Sequence, residues 1–358
     1  MKKLKLLRVV GARPQFMQVK PLRRELESRG HKEILLHTGQ HYDDTMSKQF
    51  FTDLELPEAD INLGVGSGSH GQQTAAMIKG IEEQLLVDKF DAVVVDGDTN
   101  STFAGALAAV KLHIPVIHIE AGMRSFDKKM PEEINRTLTD HSSTLLFCPT
   151  EVNKRNLNNE GITKGVYVVG DLLAQCFYEY QAKAGSLAAD ILAKYNLTEN
   201  NYVLLTLHRA ENVDNKERIE QFLKSIITSP YPVVWPLHPR TKKMIEQHGL
   251  SDLLQNKVFH LIPPIGYLEM LALEGKAIKI LTDSGGVQRE AYHWEKPCTI
   301  LRDSTEWVEI IDTGWAKLYK PGENAEILWD LTTGGNHGKI YGSTEVAKSI
   351  TDIIEEAL

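Results

Sequence analysis

The sequence predicts an α/β fold built from two parallel sheets. Three observations predict it: short β-branched runs that end in polar or glycine residues, helical spacing between them, and a length of 358 residues, more than one ordinary domain holds. The runs fall at 6–10, 34–37, 92–95, 116–119, 145–148 and 166–169, then at 203–207, 233–236, 258–262, 278–281 and 298–301. Continuous apolar runs are what strands buried on both faces require. Segments such as 74–86 and 219–227 carry apolar residues at helical spacing. Strands alternating with helices imply parallel pairing through right-handed crossovers. So many strands exceed one ordinary doubly wound sheet, and two sheets of about five or six strands are expected. The boundary is placed after Gly170-Asp171, near the polar stretch 183–201, giving an N-terminal domain of residues 1–172 and a C-terminal domain of residues 173–342. Residues 343–358 place Val346, Ile350, Ile353, Ile354 and Ala357 on one helical stripe, so this helix is expected to return and complete the first domain.

Composition excludes several classes. An apolar fraction of 42% with 25% charged residues is that of an ordinary globular chain, not a disordered or fibrous one. The net charge of −8 argues against a nucleic-acid coat or a membrane-surface binder. Three scattered cysteines, Cys148, Cys176 and Cys298, form neither a disulfide framework nor a zinc knuckle and fit a reducing cytoplasm, where they serve as inert core thiols. The basic start is interrupted by Arg8 and followed by residues 11–14, so no signal peptide is expected, and no apolar run approaches the ~18 residues of a membrane span.

Open parallel sheets bind ligands beyond the carboxyl ends of their strands. There this chain puts Gly11-Ala12-Arg13-Pro14, His37-Thr38-Gly39-Gln40-His41, Asp96-Gly97-Asp98-Thr99, His118-Ile119-Glu120-Ala121-Gly122, His208-Arg209, His238-Pro239-Arg240 and Thr282-Asp283-Ser284-Gly285-Gly286. Seven such turns suggest one cleft fed from both halves. Ser284, Gly285 and Gly286 lead from a strand into a helix, where close backbone approach and unpaired N–H groups attract phosphate. Glu290, a turn further on, can accept from a ribose diol; the plainer alternative is a tight turn. No Gly-Lys-Ser/Thr follows, so this is not a Walker loop. Asp98 and Glu120, each just past a strand, are a carboxylate pair able to face one sugar, although Asp98 equally suits a helix cap. Pro131-Glu132-Glu133 opens a helix with acids where its dipole favours them, and Glu132 shares a face with Arg136, four residues on. His208 and Arg209 would supply cationic donors opposite the Ser284 turn if the halves face each other. The histidines show no metal-ligand spacing, so no metal is expected.

Taken in order, Gly11-Ala12-Arg13-Pro14, Gly97-Asp98-Thr99, His118 to Gly122, Pro131 to Arg136, His208-Arg209-Ala210-Glu211-Asn212, Thr282 to Glu290 and Arg302-Asp303-Ser304-Thr305-Glu306 make the chain closely similar to the non-hydrolysing UDP-N-acetylglucosamine 2-epimerases, from about residue 5 to the end. The resemblance implies a GT-B architecture, two Rossmann-like domains with a nucleotide sugar in the cleft between them, and a cytoplasmic homodimer needing no cofactor. It implies that UDP leaves C1 as a proton leaves C2, giving a 2-acetamidoglucal, and that UDP re-adds after C2 is protonated from the other face. On that resemblance Asp98, Glu120 and Glu132 are acid/base candidates assisted by Arg136. His208, Arg13 and the Ser284–Gly285–Gly286 turn would meet the diphosphate, and Glu290 the ribose. Two rival readings share the architecture or the ligand: a GT-B glycosyltransferase, for which this acidic chain offers no acceptor surface, and a nucleotide-sugar sensor without turnover.

The departures from better-known members are specific. Gln18 stands for a lysine, Tyr42 and Asp43 follow Gln40-His41, Ala76 replaces an arginine, and Trp307-Val308-Glu309 replaces Arg-Pro-Glu. The stretches at 11–16 (Gly-Ala-Arg-Pro-Gln-Phe), 37–43 (His-Thr-Gly-Gln-His-Tyr-Asp) and 305–309 (Thr-Glu-Trp-Val-Glu) resemble the branch that epimerises UDP-2,3-diacetamido-2,3-dideoxy-glucuronate.

Overall fold

The computed structural model describes residues 2–39, 55–56, 58–335, 337–342 and 344–358, with the side chains of residues 13 and 14 outside the description. The chain forms two compact units, Met1–Tyr178 with Lys339–Leu358, and Glu179–Gly338.

The first unit is a parallel sheet of β1 (Lys5–Val10), β2 (Lys32–His37), β3 (Ile61–Asn62), β4 (Ala92–Asp96), β5 (Val116–Ile119), β6 (Leu145–Cys148) and β7 (Val166–Val168), in the order β3-β2-β1-β4-β5-β6-β7. Alternate residues of its strands face two separate cores. Leu6, Val94 and Ile117 pack on one side with Leu22 and Leu26 of the helix Arg13–Ser28, while Leu7, Val93 and Val116 pack on the other with Met77 and Ile81 of the helix His70–Val87. Burial on both faces is why the strands read as continuous apolar runs. The final helix, Val346–Ala357, buries Val346, Ala347, Ile350 and Ile354 in the first of these cores.

The second unit is a parallel sheet of β8 (Val203–Thr206), β9 (Val233–Pro236), β10 (Phe259–Ile262), β11 (Lys279–Thr282), β12 (Cys298–Ile300) and β13 (Ala316–Leu318), in the order β10-β9-β8-β11-β12-β13. Each unit is a doubly wound, Rossmann-like sheet, and two of them in one chain are the composition of the GT-B class.

Two differences from the sequence reading have physical causes. Strands β3 and β13 were not expected: both are short edge strands, partly exposed, and leave no continuous apolar run. The polar stretch beside the expected boundary is helical as far as Lys194, within the helix Leu172–Lys194, and the units divide inside that helix. Tyr180, Ala184, Ala188 and Ile191 are buried at helical spacing along it, a thin stripe among polar neighbours.

In both sheets the strand order reverses once, between β1 and β4 and between β8 and β11. Doubly wound sheets bind ligands at that reversal, beyond the carboxyl ends of the strands. The turns there are Gly11-Ala12 and Gly97-Asp98-Thr99 in the first unit, and Leu207-His208-Arg209 and Asp283-Ser284-Gly285 in the second.

Candidate active site

In the first unit the turn after β1 is held by Gln15, one helical turn on. Its Oε1 accepts from the backbone N–H of Gly11 and of Ala12, both at 2.8 Å, and its Nε2 donates to the Asp96 carbonyl at 2.6 Å. One side chain therefore ties the two turns of the switch point together. A Cβ on Gly11 would lie 1.9 Å from Ser101 Oγ, so nothing larger than glycine fits.

The cap after β4 is Thr99, whose hydroxyl accepts from Thr102 N at 3.3 Å while Thr102 Oγ1 accepts from Thr99 N at 3.1 Å. The helix Asn100–Lys111 thus does not use the Asp98 carboxylate as its cap. That carboxylate pairs instead with Arg136 Nη2, and its backbone carbonyl accepts from Asn135 Nδ2 at 3.0 Å. Arg136 is buried and its Nη1 donates to Glu133 Oε2 at 3.1 Å. Glu133 also accepts from Ser125 N at 2.8 Å and Phe126 N at 2.9 Å, which fixes the loop before the helix Pro131–Ser142.

Glu120 follows β5, the neighbour of β4, and is half-buried. Its φ is +66°, the left-handed region that costs a non-glycine residue roughly 1–3 kcal/mol. A Cβ placed on Gly97 would stand 3.3 Å from Glu120 Oε2, so this carboxylate lies over the turn that carries Asp98. Two carboxylates on adjacent strand ends, one held by a buried guanidinium, can take and return protons at one bound carbon.

Glu132 is half-buried in the first turn of its helix, and where the spacing suggested a Glu132–Arg136 pair, Arg136 forms ion pairs with Asp98 and with the adjacent Glu133. Glu133, three residues before Arg136, was missed, although its spacing is a helical-neighbour spacing like the other. The Arg13 side chain and residues 40–43 lie outside the described residues.

In the second unit Asp283 is fully buried, and its carboxylate accepts from His208 N at 3.0 Å, Arg209 N at 2.9 Å and Asn212 Nδ2 at 3.0 Å. His208 Nδ1 is 3.3 Å from the same carboxylate, and the side chain remains 49% exposed. The expected placement of His208 opposite the Ser284 turn is corrected too: β8 and β11 are paired neighbours, so the two turns stand side by side in one sheet. Ser284 caps the helix Gly285–His293 from 3.5 Å, a long bond. The first N–H groups of a helix have no partner within it and favour an anion. A Cβ on Gly285 or Gly286 would meet nothing nearer than 3.6 Å and 3.8 Å respectively, so the fold itself does not require glycine at either position.

Beside that turn, the Arg289 guanidinium stacks 3.9 Å from the centre of the Trp307 ring, and its Nε donates to the Gly285 carbonyl at 3.2 Å. Half-buried Glu290 acts on Glu274, which is fully buried; burial first, then the charge and hydrogen bonding of Glu290, push the Glu274 carboxyl well above the usual carboxylate range. Three sequence motifs also converge here. Asn212 Nδ2 donates to the Leu301 carbonyl at 2.9 Å, and Thr305 Oγ1 donates to Gln288 Oε1 at 2.6 Å, which joins the residues after β8, β11 and β12.

The chain as a whole has relatives among known proteins. A family model described as UDP-N-acetylglucosamine 2-epimerase matches residues 24–355. A UDP-N-acetylglucosamine 2-epimerase homolog of Methanococcus maripaludis is 50% identical over 324 residues, covering 90% of both chains. The UDP-2,3-diacetamido-2,3-dideoxy-D-glucuronate 2-epimerase of Pseudomonas aeruginosa is 42% identical over 362 residues, covering 98% of this chain and 99% of that one. The crystal structure of Methanocaldococcus jannaschii UDP-GlcNAc 2-epimerase in complex with UDP-GlcNAc and UDP superposes with a TM-score of 0.90 at 43% identity, covering 99% of this chain and 100% of that one. With switch-point turns carrying carboxylates in one unit and an amide-lined helix start in the other, and with likeness along nearly its whole length, the chain belongs to the UDP-N-acetylglucosamine 2-epimerase family of isomerases.

Proposed function

We propose that this chain interconverts UDP-N-acetylglucosamine and UDP-N-acetylmannosamine by elimination and re-addition of UDP. A carboxylate takes the C2 proton, the C1–O bond breaks with its electron pair leaving on UDP, and a 2-acetamidoglucal remains. UDP returns to C1 and a second acid returns a proton to the opposite face of C2, so no hydride moves and no redox cofactor is needed. The observation that carries this reading is the Asp98 carboxylate held by Arg136 next to Glu120, at the switch point of the first sheet. We assign proton transfer to Asp98, Glu120 and Glu132, with Arg136 holding the first of them. We assign the leaving diphosphate to Arg13, His208 and the amides of Ser284, Gly285 and Gly286, because preorganised donors stabilise developing charge best. Glu290 is assigned to the ribose.

The test omits any acceptor. In deuterium oxide, purified protein with UDP-N-acetylglucosamine is expected to yield the C2 epimer carrying deuterium at C2. Epimer without label, or turnover only with an acceptor, overturns the elimination. Asp98→Asn and Glu120→Gln are expected to lose at least ~100-fold in kcat while UDP binding is retained.

A second substrate has its own support: the buried Arg289–Trp307 stack beside the glycine turn, and the Pseudomonas relative whose length this chain matches throughout. Side-by-side rates with the diacetamido uronic-acid analogue decide between the two. We place the enzyme in the cytoplasm as a homodimer that supplies a precursor of a cell-surface polysaccharide; sedimentation of the purified protein tests the dimer.

A further inference from the structure

His118, in β5, is fully buried, and both of its ring nitrogens end on acceptors. Nδ1 lies 2.7 Å from Asp140 Oδ1, and Nε2 lies 2.8 Å from the Gly97 carbonyl oxygen. A carbonyl has no proton to give, so Nε2 donates. Asp140 also accepts from Arg124 Nη1 at 2.7 Å and from Gly122 N at 3.2 Å, contacts that an ionised carboxylate rewards, so Nδ1 donates as well. An imidazole that donates at both nitrogens is a cation.

The position of this ring matters as much as its charge. Gly97 immediately precedes Asp98, and Gly122 stands two residues after Glu120. His118 holds the first turn through a carbonyl, and its partner Asp140 holds the second through an N–H. The same helix, Pro131–Ser142, carries Asp140, Arg136 and Glu133, so one rigid element sets both turns and the guanidinium on Asp98.

We propose that His118 is a positioning residue, a permanently doubly protonated imidazolium clamped by Asp140, which fixes the Asp98 turn against the Glu120 turn for proton transfer at the substrate. Its functional half rests on the epimerase reading; its charge state does not. Burial alone would drive the ring neutral, but the charge and hydrogen bond of Asp140, the Gly97 carbonyl and, more weakly, Asp96 outweigh it and raise its pKa above the ordinary histidine value. The charged groups around the ring are Asp140 from the helix, Asp96 from β4, and Arg124 beyond β5, the last bonded to Asp140.

Nitrogen-15 spectra of the full-length protein labelled at histidine test the charge directly. At pH 8 both His118 nitrogens are expected in the protonated form, and a neutral tautomer overturns the proposal outright. Asp140→Asn removes the countercharge; its His118 is expected to become neutral at pH 8, with kcat down about 10–100-fold, the usual cost of misplaced groups, and KM for the UDP-sugar within about threefold. A folded Asp140→Asn enzyme with unchanged kcat overturns the positioning role, and so does a rise in KM with kcat intact. Should that variant not fold, His118→Gln, whose amide can serve only one of the two acceptors, carries the same kcat and KM expectation. The wild-type spectrum decides the charge whether or not either variant folds. Absence of turnover in the wild type would sink the epimerase reading and leave the imidazolium standing.

Discussion

Glu120 carries a side chain at φ +66°, where glycine would sit without strain. The chain spends stability there to aim a carboxylate over the Asp98 turn. Glu120→Gly is therefore expected to stabilise the first unit by about 1 kcal/mol while lowering kcat at least ~100-fold, whereas Glu120→Gln lowers it as far without the gain. Thermal melts of the two variants beside the wild type check this, and a Glu120→Gly protein less stable than Glu120→Gln would mean the φ is not strained. Arg136 meets two carboxylates from one planar fork, which the single ammonium of lysine cannot reproduce.

Between elements, the same physics sorts two kinds of glycine. Gly11 is closed in by Ser101 and Thr38, so Gly11→Ala is expected to unseat the β1 turn and destabilise the fold by ~2 kcal/mol or more, in the manner of an overpacked core. Gly286 has open space around it, so Gly286→Ala is expected to melt like the wild type and yet bind UDP at least ~10-fold more weakly, because the methyl group stands where a phosphate would approach. Calorimetry of UDP binding beside a melt separates the two cases, and unchanged affinity in Gly286→Ala counts against the phosphate assignment. A second cross-strand device is Glu33 of β2, buried beside Arg8 of β1, which itself pairs with Asp96 of β4. Burial raises Glu33 to about 7 despite the opposing charges of Arg8 and Arg23. An acid raised in the folded state binds its proton there over a window in which the unfolded chain has lost it. Stability should thus fall as pH rises from the ordinary glutamate range to 7, by on the order of 2–3 kcal/mol. Glu33→Gln should flatten that fall and raise the melting temperature at pH 8. Such elements explain what was legible beforehand. Central strands buried on both faces announced themselves as apolar runs, and the turns between them as glycines and charged residues. Edge strands β3 and β13 did not, because a half-exposed strand of two or three residues has no pattern to show. Nor could spacing choose Glu133 over Glu132 as the partner of Arg136, since residues three and four apart both neighbour it on a helix. The roles of His118 and Asp140 needed the fold itself, being contacts made across strands rather than along the chain.

At the scale of the molecule, the chain leaves the first unit at residue 178, builds the second, and returns at residue 339 to finish the first. The returning helix places Ile350 and Ile354 against Leu22 and Leu26, and Asp352 and Glu355 take Arg29 at 2.6 and 2.8 Å. The apolar contacts carry most of this, since ion pairs at or near the surface contribute little. Residues at the end of the sequence therefore hold up the sheet that bears Asp98 and Glu120. Ile350→Ala, a buried truncation costing about 2–5 kcal/mol, is expected to lower the melting temperature of the first unit by roughly 5–15 °C. The distribution of tryptophan makes the effect separable: all five, Trp235, Trp294, Trp307, Trp315 and Trp329, belong to the second unit. Far-ultraviolet dichroism, which sees both units, should show an early transition in Ile350→Ala that tryptophan fluorescence does not follow. If fluorescence and dichroism instead move together, the two units melt as one cooperative body, and the last helix stabilises the turns after β8 and β11 as firmly as it does the carboxylates.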